Sequence, residues 1–395
     1  MIRVMTSPTP IRAAVRPALA ALCLSLAAIS PAAAATFATK APHAFLLDAD
    51  THSVLLDKDG DAPMAPASMS KLMTVFMLLE AIKDGRVSLE STFSVSENAW
   101  QKGGAASGSS TMFLHPHEQV KVEDLLRGII IQSGNDACIV VAENLAVTEA
   151  EFAAKMTRRA RELGLTDSTF TNATGWPDPG QRMSARDLAH LADLLVERFP
   201  EFYPVFSEKQ FVHNGIKQGN RNPLLYGFPG ADGLKTGHTE DSGYGLVGSA
   251  KVNGRRLILV LNGLSTNKER SEESERLLSW GFSEFQNLTL FKKGETVESA
   301  EVWLGDKKTV PLQAPENMTF TLPRSARRDM KVSVVVDQPV AAPILLGQKV
   351  ATLRITAPGM DPIERPLLAG EGVERLGFGG RIVAAAKYLF WGYAK

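Results

Sequence analysis

The stretch SMSKLMTVFMLLEAIKDG, residues 68–85, predicts a helix at the centre of a domain. Its apolar residues are spread almost all the way round a helical wheel, and Gly85 provides a stop signal. Such a helix cannot leave one face in water, so other elements must pack around it. Lys71 lies one turn after Ser68 within these apolar surroundings, and a charged side chain there needs a chemical explanation.

The flanking segments predict an α+β domain. Residues 43–61 predict two strands with a turn at Asp48–Thr51, and Asn253-Gly254 predicts a hairpin between two further strands. Because strands occur at both ends of a helical region, we expect one sheet that is built from both chain ends around a helical cluster. The predicted helices cover residues 121–146 with a break at Ser133-Gly134-Asn135, 149–165, 184–200 with Ser184 as N-cap, and 271–285.

Changes in character along the chain predict four regions. Residues 1–35 combine early arginines, a short apolar run and a small-residue stretch, which is typical of a signal peptide cleaved near Ala35. Residues 36–287 form the predicted α+β domain. Residues 288–372 contain short strand-like runs separated by turns and predict a small β-sandwich. Cys138 would be the one cysteine left after cleavage, so we expect no internal disulfide and place it in the core.

Residues 373–395 predict an amphipathic helix that lies on a membrane surface. Phe378, Ile382 and Leu389 fall on one broad apolar face, whereas Arg381 and Lys387 fall on the other side. Apolar burial and attraction to anionic lipid would hold such a helix in the interface. The alternative is a helix packed on the protein. Lys+Arg and Asp+Glu are both 43, and this zero formal charge argues against nucleic-acid binding.

Ser68 and Lys71 are the candidate nucleophile and general base. At a helix start, the Ser68 hydroxyl would lie next to unpaired amide groups, including its own N–H, that can bind an oxyanion. Burial between apolar neighbours disfavours the ammonium form of Lys71 and lowers its pKa. A neutral amine near a serine hydroxyl can accept its proton. Alone, S-x-x-K is weak evidence, since an N-cap serine and a surface lysine would look the same.

Two further motifs give this pair a context. Ser133-Gly134-Asn135 breaks a helical region and predicts a tight turn that presents two polar side chains. Lys235-Thr236-Gly237 precedes the strands of the hairpin, which predicts a position on a sheet edge. The order S-x-x-K, S-D-N and K-T-G is the signature of penicillin-binding proteins and class A β-lactamases.

Together with the surrounding sequence, these motifs resemble the low-molecular-mass penicillin-binding proteins that are D-alanyl-D-alanine carboxypeptidases. The resemblance covers nearly the whole mature chain, and its middle motif is S-G-N rather than S-D-N. It implies a β-lactamase/transpeptidase-like α+β domain, an antiparallel sheet with a helical cluster, followed by the β-sandwich and the amphipathic helix. The stretches that carry it are APASMSKLMT, SGNDAC, LGLTDSTFTNATGWPDPGQRMSARDLA, NRNPLL, DGLKTGHT and SERLLSWGF.

The resemblance also implies roles for individual residues. Ser68 would be the acyl-forming nucleophile, Lys71 its base, and Ser133 a proton relay to the leaving amine. The predicted substrate-binding residues are Asn135, Lys235, Thr236, Gly237, His238, Arg221 and Arg270. Of these, His238 would supply a backbone N–H to the oxyanion hole, with Ser68, rather than act as a base.

The implied substrate is the peptidoglycan stem pentapeptide, and β-lactam antibiotics are implied as covalent inhibitors. A cationic pocket suits the free terminal carboxylate, and an extended peptide can add to the sheet edge at Lys235. The resemblance implies no cofactor and no metal. It also implies a periplasmic enzyme that is attached to the outer face of the inner membrane through its C-terminal helix.

Four alternatives stay open at this level. A β-lactamase would need a deacylating glutamate, and the matching region offers Glu162 without an E-x-x-L-N motif. A D,D-endopeptidase acting on crosslinks shares all three motifs. A catalytically inactive sensor or scaffold for cell-wall peptides would have the same fold but would not cleave them. A zinc carboxypeptidase could use His115 and His117, although no H-E-x-x-H pattern follows them.

Overall fold

In a computed structural model of the protein, the described residues fall into two compact units. One unit is Phe37–Glu284, and the other contains Phe285 onward together with the N-terminal residues. The predicted signal peptide, apart from strand β1 (Arg3–Met5), and most of the predicted C-terminal helix lie outside the described residues. The described residues are 3–5, 37–336, 339–358, 360–380 and 382–383.

The first unit alternates strands and helices. Its strands are β2 (His43–Asp48), β3 (Ser53–Lys58), β4 (Thr92–Ser94), β5 (Gln119–Lys121), β6 (Gln210–His213), β7 (Ile216–Gly219), β8 (Ala231–Thr239), β9 (Gly243–Val252) and β10 (Arg255–Leu264). Its helices are α1 (Lys71–Lys83), α2 (Glu97–Gly103), α3 (Val122–Arg127), α4 (Asn135–Leu145), α5 (Glu149–Glu162), α6 (Ala185–Arg198), α7 (Leu224–Gly227) and α8 (Asn267–Glu284).

A five-stranded antiparallel sheet is built from both ends of this unit, as the sequence predicts. Its order is β3-β2-β10-β9-β8, so β8 forms one edge. The hairpin between β9 and β10 turns at Asn253 and Gly254, which both have positive φ angles of 51° and 86°. This is the conformation that favours Asn-Gly in a two-residue hairpin. The mixed α/β architecture confirms the predicted fold class.

Helix α1 is the central helix that its apolar sequence predicts. Leu72, Met73 and Phe76 have no exposed surface, and Phe76 packs edge-on against Phe199 with ring centroids 5.2 Å apart. Burying one side chain of this size stabilises the fold by about 1.5–3 kcal/mol. Because the helix is held in the core, it fixes the positions of Ser68 and Lys71 at its start.

The start of α1 differs from the expected one. A 3₁₀ turn, Ala67–Ser70, precedes the α-helix, which itself begins at Lys71. Met69 N–H bonds to the carbonyl oxygen of Pro66 in the tighter i to i+3 pattern. The S-x-x-K motif thus spans the 3₁₀ turn and the first residue of the α-helix, and the two side chains still lie one turn apart.

The predicted break in the 121–146 region is present. After α3, residues Gly128–Gln132 form a π-helical turn, Ser133 adopts a left-handed φ of 61°, and α4 begins at Asn135. The buried Asp136 carboxylate accepts a hydrogen bond from Thr111 Oγ1 at 2.6 Å and from Met112 N–H at 2.8 Å. These bonds hold the 109–112 loop against the start of α4.

Helix α6 begins where the sequence predicts. Ser184 is its N-cap, and the Ser184 hydroxyl accepts a hydrogen bond from Asp187 N–H at 3.1 Å. Asp187 in turn accepts from Ser168 Oγ at 2.7 Å. The cap therefore also ties α6 to the segment that leads to Thr174.

The second unit is rich in strands and has its own core, as predicted. Besides β1, its strands are β11 (Phe285–Phe291), β12 (Thr296–Trp303), β13 (Thr309–Gln313), β14 (Met318–Pro323), β15 (Lys331–Val336), β16 (Val340–Ala341), β17 (Lys349–Thr356) and β18 (Ile363–Ala369). One sheet has the order β1-β15-β17-β18-β13-β12-β16, and β11 pairs with β14. Buried residues of both sheets, among them Phe320, Leu322 and Leu353, share one apolar cluster.

The described residues of the C-terminal segment fall into a buried part and an exposed part. Val373 is buried and forms a β-bridge with Ile344, whereas Phe378, Ile382 and Val383 are exposed. Within the described ranges, no helix combines the length and the apolar character that a bilayer span requires. The prediction of an interfacial helix stays a prediction, because most of its residues are not described.

Candidate active site

Ser68 and Lys71 lie in direct contact at the start of α1. Lys71 Nζ is 2.8 Å from Ser68 Oγ, and it donates a hydrogen bond to the carbonyl oxygen of Thr174 at 2.6 Å. The Lys71 side chain is buried, whereas Ser68 is half-buried and lines a cleft. The serine can therefore meet a ligand while the lysine stays beneath it, away from water.

Burial lowers the pKa of Lys71 to about 8 from its usual 10.5. The nearby positive charge of Arg221 acts in the same direction, while Cys138 and Asp136 act against it. A larger neutral fraction therefore exists near neutral pH than for a solvent-exposed lysine. This agrees with the pKa shift that the sequence predicts, and it makes Lys71 chemically able to accept the Ser68 proton.

A second serine–lysine pair faces the first. Lys235 Nζ donates to Ser133 Oγ at 3.0 Å and to the carbonyl oxygen of Thr236 at 3.2 Å. Burial, followed by the charges of Lys71 and Arg221, lowers the pKa of Lys235 well below its usual value. Ser133 reaches this position because its left-handed backbone turns the chain between the π-helical turn and α4.

Asn135 lines the cleft and has an unused hydrogen-bond acceptor. Its Nδ2 donates to Ser109 Oγ at 2.9 Å, and its backbone N–H donates to Ser110 at 2.8 Å. Its Oδ1 is buried and has no hydrogen-bond partner among the described residues. A buried acceptor without a donor is costly, so a ligand N–H at this point would be favourable.

Strand β8 brings the third motif to the cleft. Lys235 and Thr236 are buried in it, and Thr236, Gly237 and His238 line the cleft. A Cβ at Gly237 would lie 2.9 Å from the carbonyl oxygen of Pro66 and 3.2 Å from Ala67 Cβ. Gly237 therefore lets the edge strand approach the Ser68 turn closely, and a side chain there would push the two apart.

His238 does not contact the reacting pair. Its exposed ring stacks on Tyr244 with centroids 3.9 Å apart. Within the described part of the chain, no hydrogen bond joins the ring to Ser68. The geometry therefore agrees with the expectation that the imidazole is not the base.

The two predicted arginines also line the cleft. Arg221 is exposed, donates from Nη1 to Ser110 Oγ at 2.6 Å, and has a pKa lowered by partial desolvation. Arg270 is buried, donates to Asn267 Oδ1 at 2.6 Å, and lies over the Tyr244 ring. Burial lowers the pKa of Arg270 to about 10, and its Nε has no hydrogen-bond partner among the described residues. The cleft is therefore strongly cationic.

All ten predicted site residues lie in or directly beneath one cleft of about 710 Å³. Other residues of its lining are not among the site residues predicted from the sequence, namely Ser109, Ser110, Trp176, Tyr244 and Asn267. The serine-rich loop at 107–110 was a usable signal, since small polar residues there suit a binding loop. The Thr174 carbonyl carried no signal, because a main-chain group has no sequence signature.

Three predictions about other residues can be compared with the structure. Cys138 is fully buried, and burial raises the pKa of its thiol to about 12, which confirms it as a core residue. Glu162 pairs with Arg159 at 2.7 Å on an exposed surface. Among the described residues, the group able to share a metal is His52, Asp193 and Glu197, and it does not include His115 or His117.

Comparison with known proteins identifies the two units. Residues 29–266 match the D-alanyl-D-alanine carboxypeptidase family, and residues 285–375 match the C-terminal domain of penicillin-binding protein 5. The chain is 41% identical to D-alanyl-D-alanine carboxypeptidase DacC of Escherichia coli over 85% of both chains. It is 34% identical to DacF of Bacillus subtilis over 86% of this chain and 88% of that protein.

Solved structures agree with the sequence matches. Penicillin-binding protein 5 from Haemophilus influenzae superposes with a TM-score of 0.79 at 34% identity, covering 87% of this chain and 100% of that one. The carboxypeptidase DacD from Francisella tularensis gives a TM-score of 0.77 at 29% identity over 88% and 96%. With its serine–lysine pairs, its cationic cleft and these matches, the chain belongs to the D-alanyl-D-alanine carboxypeptidase family of penicillin-binding proteins.

Proposed function

We propose that this chain removes the terminal D-alanine from peptidoglycan pentapeptide stems through an acyl-enzyme on Ser68. The observation that carries the proposal is the 2.8 Å contact between Ser68 Oγ and the amine of the buried Lys71. A hydroxyl beside an amine of lowered pKa can attack a carbonyl without a histidine. The relatives named above are carboxypeptidases of this specificity, which supports the same substrate here.

In the acylation step, Ser68 Oγ bonds to the carbonyl carbon of the penultimate D-alanine. Its proton passes to Lys71 Nζ, and the backbone N–H groups of Ser68 and His238 stabilise the oxyanion. Collapse of this intermediate breaks the C–N bond. The proton on Lys71 Nζ then passes by way of the Ser133 hydroxyl to the leaving amine of the terminal D-alanine, so Lys71 is neutral again before deacylation. Lys235 orients Ser133 at 3.0 Å.

In the deacylation step, water attacks the ester carbonyl. Lys71 Nζ accepts a proton from that water, and Ser68 leaves with a proton, so the free enzyme and a shortened stem are regenerated. The Thr174 carbonyl holds the amine in place during both steps, at 2.6 Å. One residue thus serves as the base in each half-reaction.

Substrate binding would use the cationic wall and the edge strand. The terminal carboxylate would lie near Thr236, where the guanidinium groups of Arg221 and Arg270 supply positive charge. The stem peptide would extend along β8, whose position at the sheet edge leaves backbone groups for pairing. Asn135 Oδ1 would accept the substrate amide N–H, since it lacks another partner among the described residues.

β-Lactams would acylate Ser68 in the same way, and slow hydrolysis of that adduct is expected. The loop next to Lys71 presents a main-chain carbonyl, that of Thr174, rather than a free carboxylate. The nearby Glu149 accepts from Ala173 N–H at 3.2 Å and pairs with Lys102 at 2.6 Å. A carboxylate that is already paired in this way is a poor base for deacylation.

The location that we propose is the periplasm, at the outer face of the inner membrane. The signal-peptide pattern before Ala35 and the amphipathic pattern of residues 373–395 support it. The exposed Phe378, Ile382 and Val383 agree with an apolar face at the start of that segment. Cell fractionation before and after removal of residues 376–395 tests the attachment.

The activity is tested by D-alanine release from a purified stem pentapeptide. We expect release by the wild-type chain and none above background by Ser68→Ala. A crosslinked stem dimer, tested in parallel, separates the endopeptidase alternative. Faster cleavage of the dimer than of the pentapeptide would replace the proposed reaction with crosslink hydrolysis, and no release from either would reject both.

A further inference from the structure

A second cluster of reactive side chains lies on the first unit, and none of its members lines the Ser68 cleft. His52, Asp193 and Glu197 each place one potential ligand atom within 4.8 Å of those of the other two. The proposed peptidase reaction uses none of the three. The cluster therefore has to be explained by something other than acyl transfer.

Two separate elements bring these side chains together. Asp193 and Glu197 are four residues apart on α6, so they share one face of the helix. His52 lies in the turn between β2 and β3 and has a left-handed φ of 53°. An uncommon backbone conformation for a histidine places its ring over the helix face. The arrangement joins a sheet turn to a helix that packs on the same sheet.

The two ring nitrogens of His52 each lie close to one of the carboxylates. His52 Nδ1 is 3.0 Å from Asp193 Oδ2, and His52 Nε2 is 3.8 Å from Glu197 Oε1. In tetrahedral zinc sites with bonds of about 2.0–2.2 Å, neighbouring ligand atoms lie roughly 3.3–3.5 Å apart. One ion takes a single nitrogen of the ring, so the exposed His52 and Glu197 side chains must rotate to bring the three ligand atoms, which lie within 4.8 Å of one another, to that spacing. Both are more than half exposed, at 60% and 51%, so an ion can enter from solvent.

Asp193 supplies a second, independent observation. Its side chain is only 4% exposed and faces the His52 ring, yet its Oδ1 has no hydrogen-bond partner among the described residues. Burial raises the pKa of this carboxyl, and the charge of Glu197 adds to the effect. A buried carboxylate oxygen without a donor is unfavourable, and a cation would satisfy it.

The charges of the cluster favour a divalent ion over a simple ion pair. Two carboxylates facing one protonated imidazole leave a net charge of −1, whereas a divalent cation with a neutral imidazole leaves none. His190 also acts on the Asp193 carboxyl, but its Nε2 is bonded to the Leu163 carbonyl oxygen at 3.1 Å. It is therefore not free to join the cluster as a ligand through that nitrogen.

We propose that His52, Asp193 and Glu197 bind a zinc-type divalent cation, with water completing its coordination. One imidazole with two carboxylates is a donor set that suits Zn²⁺. The ion would connect the β2–β3 turn to α6 and stabilise the folded first unit when zinc is present. Because the ion binds the folded chain, the melting temperature rises with zinc concentration.

The experiment uses the full chain without a histidine tag, freed of metal with a chelator and then dialysed. Zinc chloride alone is titrated by calorimetry at pH 7.5, and Co²⁺ absorption reports the ligand geometry. We expect one saturable site that also raises the melting temperature. Asp193→Asn keeps the side-chain shape, and His52→Asn tolerates the left-handed backbone. Each removes a direct ligand, so zinc binding is expected to weaken by at least the roughly 10–100-fold that loss of an outer-shell partner causes.

His117→Gln is the matched control, because its exposed imidazole lies 3.9 Å from Glu97 without a third ligand. This variant should bind zinc as the wild type does. The proposal is overturned by the absence of saturable zinc binding, or by loss of binding in His117→Gln alone. It is equally overturned if Asp193→Asn lowers the melting temperature by the same amount with and without zinc, since that result identifies a plain ion pair.

Discussion

Lys71 Nζ donates a 2.6 Å hydrogen bond to the carbonyl oxygen of Thr174, a residue 103 positions further along the chain. This bond, together with the 2.8 Å contact to Ser68 Oγ, fixes the position of the amine. A main-chain carbonyl accepts a hydrogen bond from the amine but carries no negative charge, so it orients Lys71 without a counter-charge that would hold it in the ammonium form. A carboxylate in the same place would stabilise the ammonium.

Replacing Lys71 by methionine should abolish rapid acylation while the fold is retained. The methionine fills most of the buried space, but it offers no proton acceptor to Ser68. We expect acylation by a fluorescent penicillin to slow by about 10²–10⁴-fold, the usual contribution of a general base. Stopped-flow fluorescence measures the rate, and thermal melting verifies folding. Lys155→Met, at a surface lysine paired with Glu151 on the same helix, is the control and should acylate normally.

The acylation rate should depend on pH through the Lys71 amine. Its pKa is lowered to about 8, and only the neutral form accepts the serine proton. The second-order rate constant is therefore expected to rise with pH below about 8 and to level off above it. A profile of kcat/KM from pH 6 to 10 measures both this rise and the plateau above it. A flat profile across that range would contradict the assignment of Lys71 as the base.

Gly237→Ala should impair the site by a steric clash, because the substitution removes no reacting group. The new Cβ would lie 2.9 Å from the carbonyl oxygen of Pro66, next to the Ser68 turn. Either the turn or the edge strand must move, and we expect acylation to fall at least tenfold. The matched control is Gly377→Ala, since nothing lies within 4 Å of a Cβ there and its φ is ordinary. Equal acylation rates in the two variants would argue against the close approach of β8.

Arg270 should contribute mainly to recognition of the terminal carboxylate. Hydrogen bonds to charged groups contribute about 1.5–3 kcal/mol, so Arg270→Gln is expected to raise KM for the pentapeptide roughly 10–100-fold. A pentapeptide with an amidated C-terminus lacks that carboxylate, so the substitution should raise its KM much less. Steady-state kinetics on both peptides separates the effects. A similar loss on both substrates would indicate a structural role for Arg270.

The sequence predicts local features of the chain well. The Asn253-Gly254 hairpin, the Ser184 cap and the break at Ser133 are all present, because each depends on a few neighbouring residues. The central position of α1 also follows from its own apolar pattern. That the three motifs form one site was implied by the family resemblance rather than by these local features.

Other features depend on contacts between distant segments, which sequence patterns do not report. The Thr174 carbonyl beside Lys71 and the unpaired Asn135 Oδ1 appear only once the loops are placed. The 3₁₀ turn before Lys71 was also missed, since the propensities of 3₁₀ and α turns are similar over four residues. The lining residues Tyr244 and Trp176 belong to no motif, although both contact the cleft.

The central claim is that Lys71 makes Ser68 the residue that forms the acyl-enzyme. Intact-mass analysis after brief exposure to penicillin, followed by mapping of the modified peptide, tests it most directly. The account predicts one drug adduct per chain, on the peptide that carries Ser68, and none on Ser68→Ala. An adduct on any other residue, or no adduct on the folded wild-type chain, would contradict it.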